Sequence, residues 1–290
     1  MTSEYLVLDG ALALAIPTKF GQSMAVKELN EPKIVWKSFD ENRSVWFQGE
    51  FSLDQFNIEN ITSSNVEISE RLLQILNAAK KLNKSFLNTG FEVNSTLSFP
   101  KRWGLGTSST LINNIALWAN IDAYKLLELT FGGSGFDLAC AQNNNPITYQ
   151  LKNNSRLVNH TAFNPSFKSH LYFVYLNRKQ NSRESIATYK EKIIPSNAIE
   201  KATQLTKDII DAQDLETFCK LIETHENLIG TLINLIPVKK QLFPDFKGSI
   251  KSLGGWGGDF ILVASSEDPR NYFEGKDFKT IIPYSEMVLN

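Results

Sequence analysis

Glycine is concentrated in three short segments of this 290-residue chain. Glycine is favoured where the backbone needs dihedral angles that other residues avoid, or where another group must approach the backbone closely. Ligand phosphates are a frequent reason for such an approach. Three clusters in one chain therefore predict a fold with loops that contact a ligand. Nine of the 16 glycines form these clusters: Gly104 and Gly106; Gly132, Gly133 and Gly135; and Gly254, Gly255, Gly257 and Gly258.

The first cluster leads directly into a predicted helix, Leu111 to Ala119. Residues Gly104 to Thr110 read Gly-Leu-Gly-Thr-Ser-Ser-Thr, so backbone N–H groups and hydroxyls converge where a helix begins. The start of a helix carries unsatisfied donors and about half a positive charge, which favours anions. One hydroxyl there could simply cap the helix, but four in succession exceed what capping requires. The segment is neither a Walker A loop nor a Rossmann fingerprint, because it lacks the Gly-Lys-Ser/Thr of the former and the third glycine of the latter.

The second cluster places an acidic residue after a glycine-rich turn. Asp137 follows Gly135-Phe136 and stands at the start of a short predicted helix, Leu138 to Ala141. A carboxylate in this place can act as a general base or orient a hydroxyl nucleophile. It can also do no more than complement the helix dipole. The residues by themselves leave both interpretations open.

The third cluster, within Ser252 to Asp259, precedes a predicted strand, Phe260 to Ser265. It predicts either a ligand-binding loop or a tight turn or bulge. A cationic turn, Asn177 to Arg183, follows another predicted strand, His170 to Leu176. Its cations and hydroxyl could bind an acidic substrate at a helix start, or it could be a solvated loop in which Ser182 caps the next helix.

The composition excludes several classes of partner. Thirty Lys and Arg balance 31 Asp and Glu, so no long-range field draws the chain onto nucleic acid or an anionic membrane. The start of the sequence lacks the pattern of a signal peptide, and no apolar run is long enough to span a bilayer. Two cysteines far apart indicate buried thiols in a reducing compartment. We therefore expect a cytoplasmic protein. Its three histidines, His160, His170 and His225, lack metal-ligand spacing.

Hydrophobic periodicity predicts a mixture of helices and strands. Val66 to Leu82 has helical spacing and ends in two lysines, whereas Phe91 to Phe99 alternates like a half-buried strand. Asp9-Gly10 predicts a hairpin over Tyr5 to Leu14. The length suits two domains, which we expect at residues 1–164 and 165–290, with the boundary near Asn164-Pro165. The predicted fold class is α+β.

Together, the three clusters resemble the GHMP kinase superfamily, named for galactokinase, homoserine kinase, mevalonate kinase and phosphomevalonate kinase. Gly104 to Ser109 is similar to its phosphate-binding Gly-Leu-Gly-Ser-Ser, and Ser252 to Asp259 is similar to its third motif. Glu4 to Leu8, with Ala11 to Ala15 beyond, is similar to its first motif, although Ser3 stands where the motif has glycine. The resemblance covers nearly the whole chain.

This resemblance implies a fold and a set of site residues. The fold is a mixed-sheet N-terminal lobe and a ferredoxin-like C-terminal lobe with ATP in the cleft. Ser108 and Glu4 would hold Mg²⁺, and Asp137 would be catalytic together with Ser108. The ATP-binding residues would be Gly104, Leu105, Gly106, Thr107, Ser108, Ser109 and Thr110. The substrate-binding residues would be Lys179, Ser182, Arg183, Gly255, Trp256 and Gly257.

The predicted function is an ATP- and Mg²⁺-dependent kinase that transfers the γ-phosphoryl group to a hydroxyl or phosphate of a small acid. Mevalonate and phosphomevalonate are the leading candidates. One alternative is a nucleotide-binding homologue without turnover, because bulky Trp256 stands inside the third loop and the Gly-Lys strand that the family carries ahead of the glutamate matching Glu4 is either absent or lies upstream of Met1. Another alternative is an ATP-dependent decarboxylase resembling the enzyme that acts on diphosphomevalonate. The sequence leaves the substrate and the oligomeric state open.

Overall fold

A computed structural model of the chain describes residues 1–53, 58–153, 155–180, 186–187 and 189–289. The chain divides into two compact units. The N-terminal unit consists of Phe20–Lys101 and Leu105–Gln142. The C-terminal unit consists of Met1–Lys19, Arg102–Gly104 and Asn143–Asn290.

Within the described residues the strands form three sheets. In chain order they are β1 (Ala13–Ala15), β2 (Gln22–Leu29), β3 (Lys33–Phe39), β4 (Val45–Leu53), β5 (Ile58–Ser63), β6 (Gly90–Leu97), β7 (Ile147–Lys152), β8 (Ser155–His160), β9 (Leu171–Tyr175), β10 (Ser249–Ser252), β11 (Phe260–Ala264) and β12 (Ile281–Pro283).

The α-helices are numbered in the same way, and short 3-10 helices lie between some of these elements. None of the helices in the described part of the chain combines the length and the apolar composition needed to cross a bilayer. The α-helices are α1 (Val66–Leu82), α2 (Thr107–Ala119), α3 (Ala123–Thr130), α4 (Phe136–Ala141), α5 (Ser196–Asp211), α6 (Leu215–Ile233), α7 (Val238–Leu242), α8 (Arg270–Glu274) and α9 (Tyr284–Met287). The 3-10 helices span Leu6–Asp9, Lys101–Trp103 and Lys168–His170.

The N-terminal unit is built on a five-stranded sheet in the order β2-β6-β3-β4-β5. Strand β3 runs parallel to β6, whereas the other pairs are antiparallel. This confirms the expected mixed sheet. Ile34 and Trp36 of β3 are buried in one core with Ile75 of α1 and Ile112 of α2. Helix α1 has the predicted bounds, and its N-cap Asn65 accepts the Ile68 N–H at 3.0 Å.

The C-terminal unit contains a four-stranded antiparallel sheet in the order β10-β11-β9-β12. The chain passes from β9 through α5 and α6 to β10 and β11, and then through α8 to β12. This is the β-α-β-β-α-β pattern of ferredoxin-like folds, so the expected architecture of this unit is confirmed. Strand β11 is buried along its whole length.

These compact units do not coincide with the predicted domains 1–164 and 165–290. The N-terminal segment Met1–Lys19 and residues from Asn143 onward group with the C-terminal half of the chain. Strand β1 pairs with β7, and the backbone N–H of Leu12 donates to the Thr203 hydroxyl of α5 at 3.0 Å. Such pairings between distant segments cannot be deduced from local periodicity.

The predicted hairpin over Tyr5 to Leu14 is wrong. The Asp9-Gly10 pair does turn the chain, but Gly10, at φ +91°, ends a 3-10 helix instead of joining two strands. The Ala11 N–H closes this turn on the Leu6 carbonyl oxygen at 3.0 Å. Leu6 is fully buried, so this apolar segment packs into the core as a helical turn and not as a strand.

Candidate functional site

The first glycine cluster forms the start of α2. The helix begins at Thr107, four residues earlier than predicted, and its N-cap is Gly106 at φ +68°. No side chain caps the helix, because the hydroxyls of Thr107 and Ser108 lie in the first turn. A Cβ atom added to Gly106 would meet nothing within 4 Å. An uncapped helix start beside open space has the properties of an anion site, and the interpretation of these hydroxyls as simple caps does not hold.

The hydroxyls of this segment have different surroundings. The Ser108 side chain is exposed. The Thr110 hydroxyl donates to Gln22 Oε1 at 2.8 Å, and Asn114 Nδ2 of the same helix donates to the Gln22 carbonyl oxygen at 2.9 Å. Thr110, which was expected to bind ATP, therefore has its hydroxyl turned towards β2. Its contacts hold α2 against the sheet.

Asp137 lies in the first turn of α4, which begins after Gly135 at φ +81°. Its side chain is exposed, yet enough protein surrounds the carboxyl to raise its pKa above the ordinary value through desolvation. Burial also raises the pKa of the Cys140 thiol, to about 11. The neighbouring thiol is thus protonated at neutral pH, while the carboxyl has the perturbed pKa expected of a group that transfers protons.

Gly106 of the first glycine cluster and the whole of the second cluster lie in the same compact unit. Helix α4 packs against α2, and Leu138 of α4 shares a core with Ile112 of α2. Gly132 and Gly133 have φ values of +66° and +97°, and a Cβ atom at either would meet nothing within 4 Å. The helix predicted to bind phosphate, α2, is therefore a neighbour of the helix that carries the predicted catalytic carboxylate, α4.

The beginning of the first cluster is fixed within the C-terminal unit. Gly104 has φ +70°, and a Cβ atom there would lie 2.5 Å from Cγ of Asp259, so only glycine fits. The Tyr175 hydroxyl donates to the Arg102 carbonyl oxygen at 2.8 Å. The Trp103 ring meets Phe260 edge-on, with 5.4 Å between the ring centroids. Residues 102–104 are therefore held by β9 and β11.

The carboxyl of Asp259 was not among the predicted site residues. Burial raises its pKa to about 6, and the Gln180 N–H at 3.2 Å partly offsets this effect. A phosphate bound directly at Gly104 would face this carboxylate once it ionised. Within the first cluster, the end at Gly106 is thus the better anion site. The signal for Asp259 was the Gly-Gly-Asp that ends the third motif.

The third glycine cluster packs against the cationic turn. A Cβ atom at Gly258 would lie 2.8 Å from the Arg178 carbonyl oxygen and 3.1 Å from the Gln180 nitrogen. The Asp259 N–H donates to the same Arg178 oxygen at 2.6 Å. Two segments that were predicted separately to bind substrate are therefore in contact. Lys179 is exposed, whereas the predicted Ser182 and Arg183 lie outside the described residues.

A cavity of about 540 Å³ opens beside these two segments. Trp256 forms part of its wall, but the indole is 2% exposed and packs in a core with Leu6 and Ile229. Its ring edge lies against Gly230 of α6, where a Cβ atom would be 3.2 Å from Cη2. Trp256 thus builds the cavity without filling it. Gly257 also lines the cavity, and Gly255 is buried.

Glu4, the predicted magnesium ligand, lies in a buried charged cluster. Its Oε1 accepts a hydrogen bond from Lys251 Nζ at 2.5 Å, and Lys251 is fully buried. Its Oε2 is enclosed without a hydrogen-bond donor. Among the described residues, no three His, Cys, Asp or Glu side chains are arranged to hold a metal. The magnesium role of Glu4 stays a prediction, and it would require the carboxylate to exchange its lysine partner.

His225 and Glu226 of α6 complete this cluster. Burial holds the pKa of His225 well below its ordinary value, and its Nε2 accepts the Ser3 N–H at 2.8 Å, so the ring is neutral. Glu226 accepts the hydroxyl and the N–H of Ser252 at 2.7 and 3.0 Å. Burial raises the Glu226 pKa to about 7, although Lys251 opposes this shift. The sequence carried no signal for this cluster, because its members come from three distant segments.

The backbone around Glu4 is strained. Ser3 and Tyr5, on either side of it, have φ values of +59° and +66°, a region that favours glycine. Ser3 therefore adopts a conformation suited to the glycine of the resembled motif. Its hydroxyl donates to the Leu12 carbonyl oxygen at 2.7 Å. Strain of this kind persists only where the surrounding structure enforces it, and it fixes the position of Glu4.

No family model matches the sequence, and no curated protein matches it. Solved structures match over nearly the whole chain. The crystal structure of a mevalonate kinase is 15% identical, with a TM-score of 0.67, and the match covers 97% of this chain and 94% of that one. A Streptococcus pneumoniae phosphomevalonate kinase in complex with phosphomevalonate and AMPPNP is 15% identical, with a TM-score of 0.67 and coverage of 99% and 94%. A Lactococcus lactis galactokinase complexed with galactose is 13% identical, with a TM-score of 0.61 and coverage of 94% and 85%.

At this level of identity the likeness concerns the fold and not the chemistry. The shared features are a mixed α+β organisation with a mixed sheet in one unit and an antiparallel sheet in the other. These features agree with the fold that the resemblance of the three glycine clusters implied. The chain has the fold of the GHMP kinase superfamily.

Proposed function

We propose that the chain is an ATP- and Mg²⁺-dependent kinase that transfers the γ-phosphoryl group to a hydroxyl or phosphate of a small acid. The observation that carries this proposal is the packing of α4, which carries Asp137, against α2, whose start is uncapped. Phosphoryl transfer needs positioning and charge stabilisation from a protein, and an anion site together with a carboxylate for the acceptor would supply these.

The residues at the start of α2 fit a nucleotide phosphate. Gly106 leaves space beside the first-turn N–H groups of Thr107 and Ser108, and these N–H groups can bind phosphate oxygens. The exposed Ser108 hydroxyl can contact a metal ion held mainly by phosphate oxygens and water, as Mg²⁺ prefers. When bound, Mg²⁺-ATP supplies the transferred phosphoryl group and neutralises the charge that develops on it.

The carboxyl of Asp137 would take the proton of the acceptor. As the acceptor oxygen forms its bond to phosphorus, the bond to the ADP oxygen breaks, and the acceptor proton passes to the Asp137 carboxylate. A raised pKa makes this carboxylate a stronger base than an ordinary aspartate. For an acceptor phosphate that is already ionised, Asp137 would orient the nucleophile instead.

The acceptor acid would be bound by the cationic turn and the third glycine cluster. Lys179 is exposed on that turn, and Gly257 lines the neighbouring cavity. Mevalonate and phosphomevalonate remain the leading candidates, supported by the likeness to kinases that carry those names.

A second candidate is a nucleotide-binding homologue without turnover. The observation in its favour is the pairing of Glu4 with Lys251. This pair engages the carboxylate that was expected to hold Mg²⁺. A protein that binds the nucleotide through α2 but cannot place the metal would bind ATP and transfer nothing.

The test is ADP release from Mg²⁺-ATP in the presence of mevalonate, phosphomevalonate, diphosphomevalonate, homoserine or galactose, with ATP affinity measured separately by calorimetry. Acceptor-dependent ADP release supports the kinase. ATP binding without ADP release on any acceptor supports the non-catalytic homologue. A chain that does not bind ATP contradicts both proposals, and release of carbon dioxide would indicate a decarboxylase.

A further inference from the structure

The cavity in the C-terminal unit has an unusually apolar wall for a protein expected to bind a polar acid. Its volume of about 540 Å³ lies within the roughly 300–1,000 Å³ of small-molecule sites. Three of its lining residues are large aliphatic side chains that are exposed to solvent: Leu235 at 50%, Ile236 at 64% and Leu242 at 42%. Isolated exposed aliphatic residues are common, but a group of them around one cavity indicates a ligand surface.

The local structure explains why these side chains stay exposed. Helix α6 ends at Ile233, and Asn234 follows in the left-handed conformation, at φ +58°. Pro237 then starts the short helix α7. Leu235 and Ile236 thus lie in a two-residue link that is held between two helix ends and cannot turn its side chains into a core.

Other residues that line the cavity are polar, and one of them is cationic. Arg178 and Gln180 of the cationic turn line it, together with Asn234 and Gln241. Among the described lining residues none is acidic. A cavity lined by exposed aliphatic side chains and by an arginine is complementary to a molecule with an apolar body and an anionic end.

We propose that this cavity binds an amphipathic carboxylic acid, with its alkyl part against Leu235, Ile236 and Leu242 and its carboxylate at Arg178. That this acid is the phosphoryl acceptor rests on the proposed function. That the cavity binds the acid does not.

The first experiment measures binding without nucleotide. The full chain is titrated by calorimetry with 3-hydroxybutanoate, 3-hydroxyhexanoate and 3-hydroxyoctanoate, and with 1,3-octanediol as the uncharged control. Affinity should rise by roughly fourfold for each methylene group that becomes fully buried. The diol should bind about tenfold more weakly than the eight-carbon acid, because it lacks the partner for Arg178.

A matched pair of variants locates the site. Ile236→Asn places an amide in the wall of the cavity. Ile193→Asn makes the same change at a side chain that is 97% exposed and is not among the residues that line the cavity. Both should leave the unfolding temperature nearly unchanged, since neither side chain is buried. The chain-length dependence should disappear in Ile236→Asn and remain in Ile193→Asn.

The outcomes separate this inference from the proposed function. Chain-length-dependent binding that Ile236→Asn abolishes supports the cavity, even if no acid stimulates ADP release and the kinase proposal fails. ADP release that rises along the same series supports both. Equal affinity for all three acids, or the same loss in both variants, overturns the cavity proposal even if the chain phosphorylates a polar acceptor.

Discussion

The two regions richest in functional side chains are organised in opposite ways. In the N-terminal unit, Gly106 and Asp137 lie at helix starts, with open space beside the glycine and an exposed carboxylate. In the C-terminal unit, the Glu4 carboxylate pairs with the buried Lys251, and the buried Glu226 accepts hydrogen bonds from Ser252. The open region has polar groups that a ligand can contact, whereas the charged groups of the closed region contact other residues of the protein. Substitutions should therefore affect turnover in the first region and stability in the second.

The largest effect is expected at the open region. Asp137→Asn removes the proton acceptor, and general-base catalysis contributes about 10²–10⁴-fold, so acceptor-dependent ADP release should fall by that factor. ATP affinity should be unchanged, and the unfolding temperature should stay the same or rise, because the raised pKa of Asp137 means that its charge disfavours the folded state. Asp122→Asn is the matched control, because Asn can still accept the Tyr124 N–H that the Asp122 side chain accepts at 2.8 Å. An unchanged rate in Asp137→Asn would remove this residue from catalysis.

The closed region should respond through stability. Lys251→Met leaves the Glu4 carboxylate buried without its cation, and breaking a buried ion pair costs about 3–5 kcal/mol. The double variant Lys251→Met with Glu4→Gln should recover much of this loss in denaturant unfolding. Lys220→Met removes a surface pair with Glu216, whose side chains are 73% and 80% exposed, and should cost less than about 1 kcal/mol. An equal loss of stability in Lys251→Met and Lys220→Met would contradict the difference between a buried and a surface ion pair.

A pH titration sharpens the comparison at Asp259. Its folded-state pKa of about 6 lies above the ordinary 3.8, so the folded chain holds this proton more tightly than the unfolded chain. The resulting stabilisation is present below about pH 4 and is lost as pH rises to about 6. Asp259→Asn should therefore be the more stable protein above pH 6, by at most about 2–3 kcal/mol, and equal to the parent below pH 4.

Asp214 provides a control of opposite sign. The Thr217 N–H holds the pKa of its carboxyl below the ordinary value. Its stabilisation is therefore present at neutral pH and is lost as pH falls. Asp214→Asn should lower stability at neutral pH, whereas Asp259→Asn raises it. The same direction for both variants would contradict the assignment of Asp259 as a buried carboxyl.

The smallest effect is expected for a pair of glycine substitutions that distinguishes a requirement for positive φ from a requirement for space. Gly106 and Gly21 both have nothing within 4 Å of an added Cβ atom, but only Gly106 has a positive φ. Gly106→Ala should cost about 1–2 kcal/mol of stability, and it should weaken ATP binding because the phosphate loop would shift. Gly21→Ala should be neutral or slightly stabilising. Calorimetry with ATP and thermal unfolding measure the two effects, and identical behaviour would remove the conformational argument.

The sequence indicated the helix start of the open region but not the ion pair of the closed region, for a physical reason. The contact of Gly104 to Thr110 with a ligand stays a prediction, but a glycine-rich helix start is encoded by contiguous residues, so it can be recognised in one short segment. The same applies to helix α1, whose bounds follow from local periodicity. The pairing of Glu4 with Lys251 depends on tertiary packing, which no local pattern encodes. For the same reason the strand pairing of Ala13–Ala15 with β7 could not be anticipated.

The buried ion pair also has a consequence for synthesis. Glu4 and Lys251 are 247 residues apart in the chain, and a ribosome that adds about 5–20 residues per second needs about 12–50 s to cover that interval. The N-terminal unit ends at Gln142 and can fold long before. Residues 1–19 belong to the other unit, and they must wait as a nascent segment until its final strands have left the ribosome. Residues 1–19 are thus made before the N-terminal unit but fold after it.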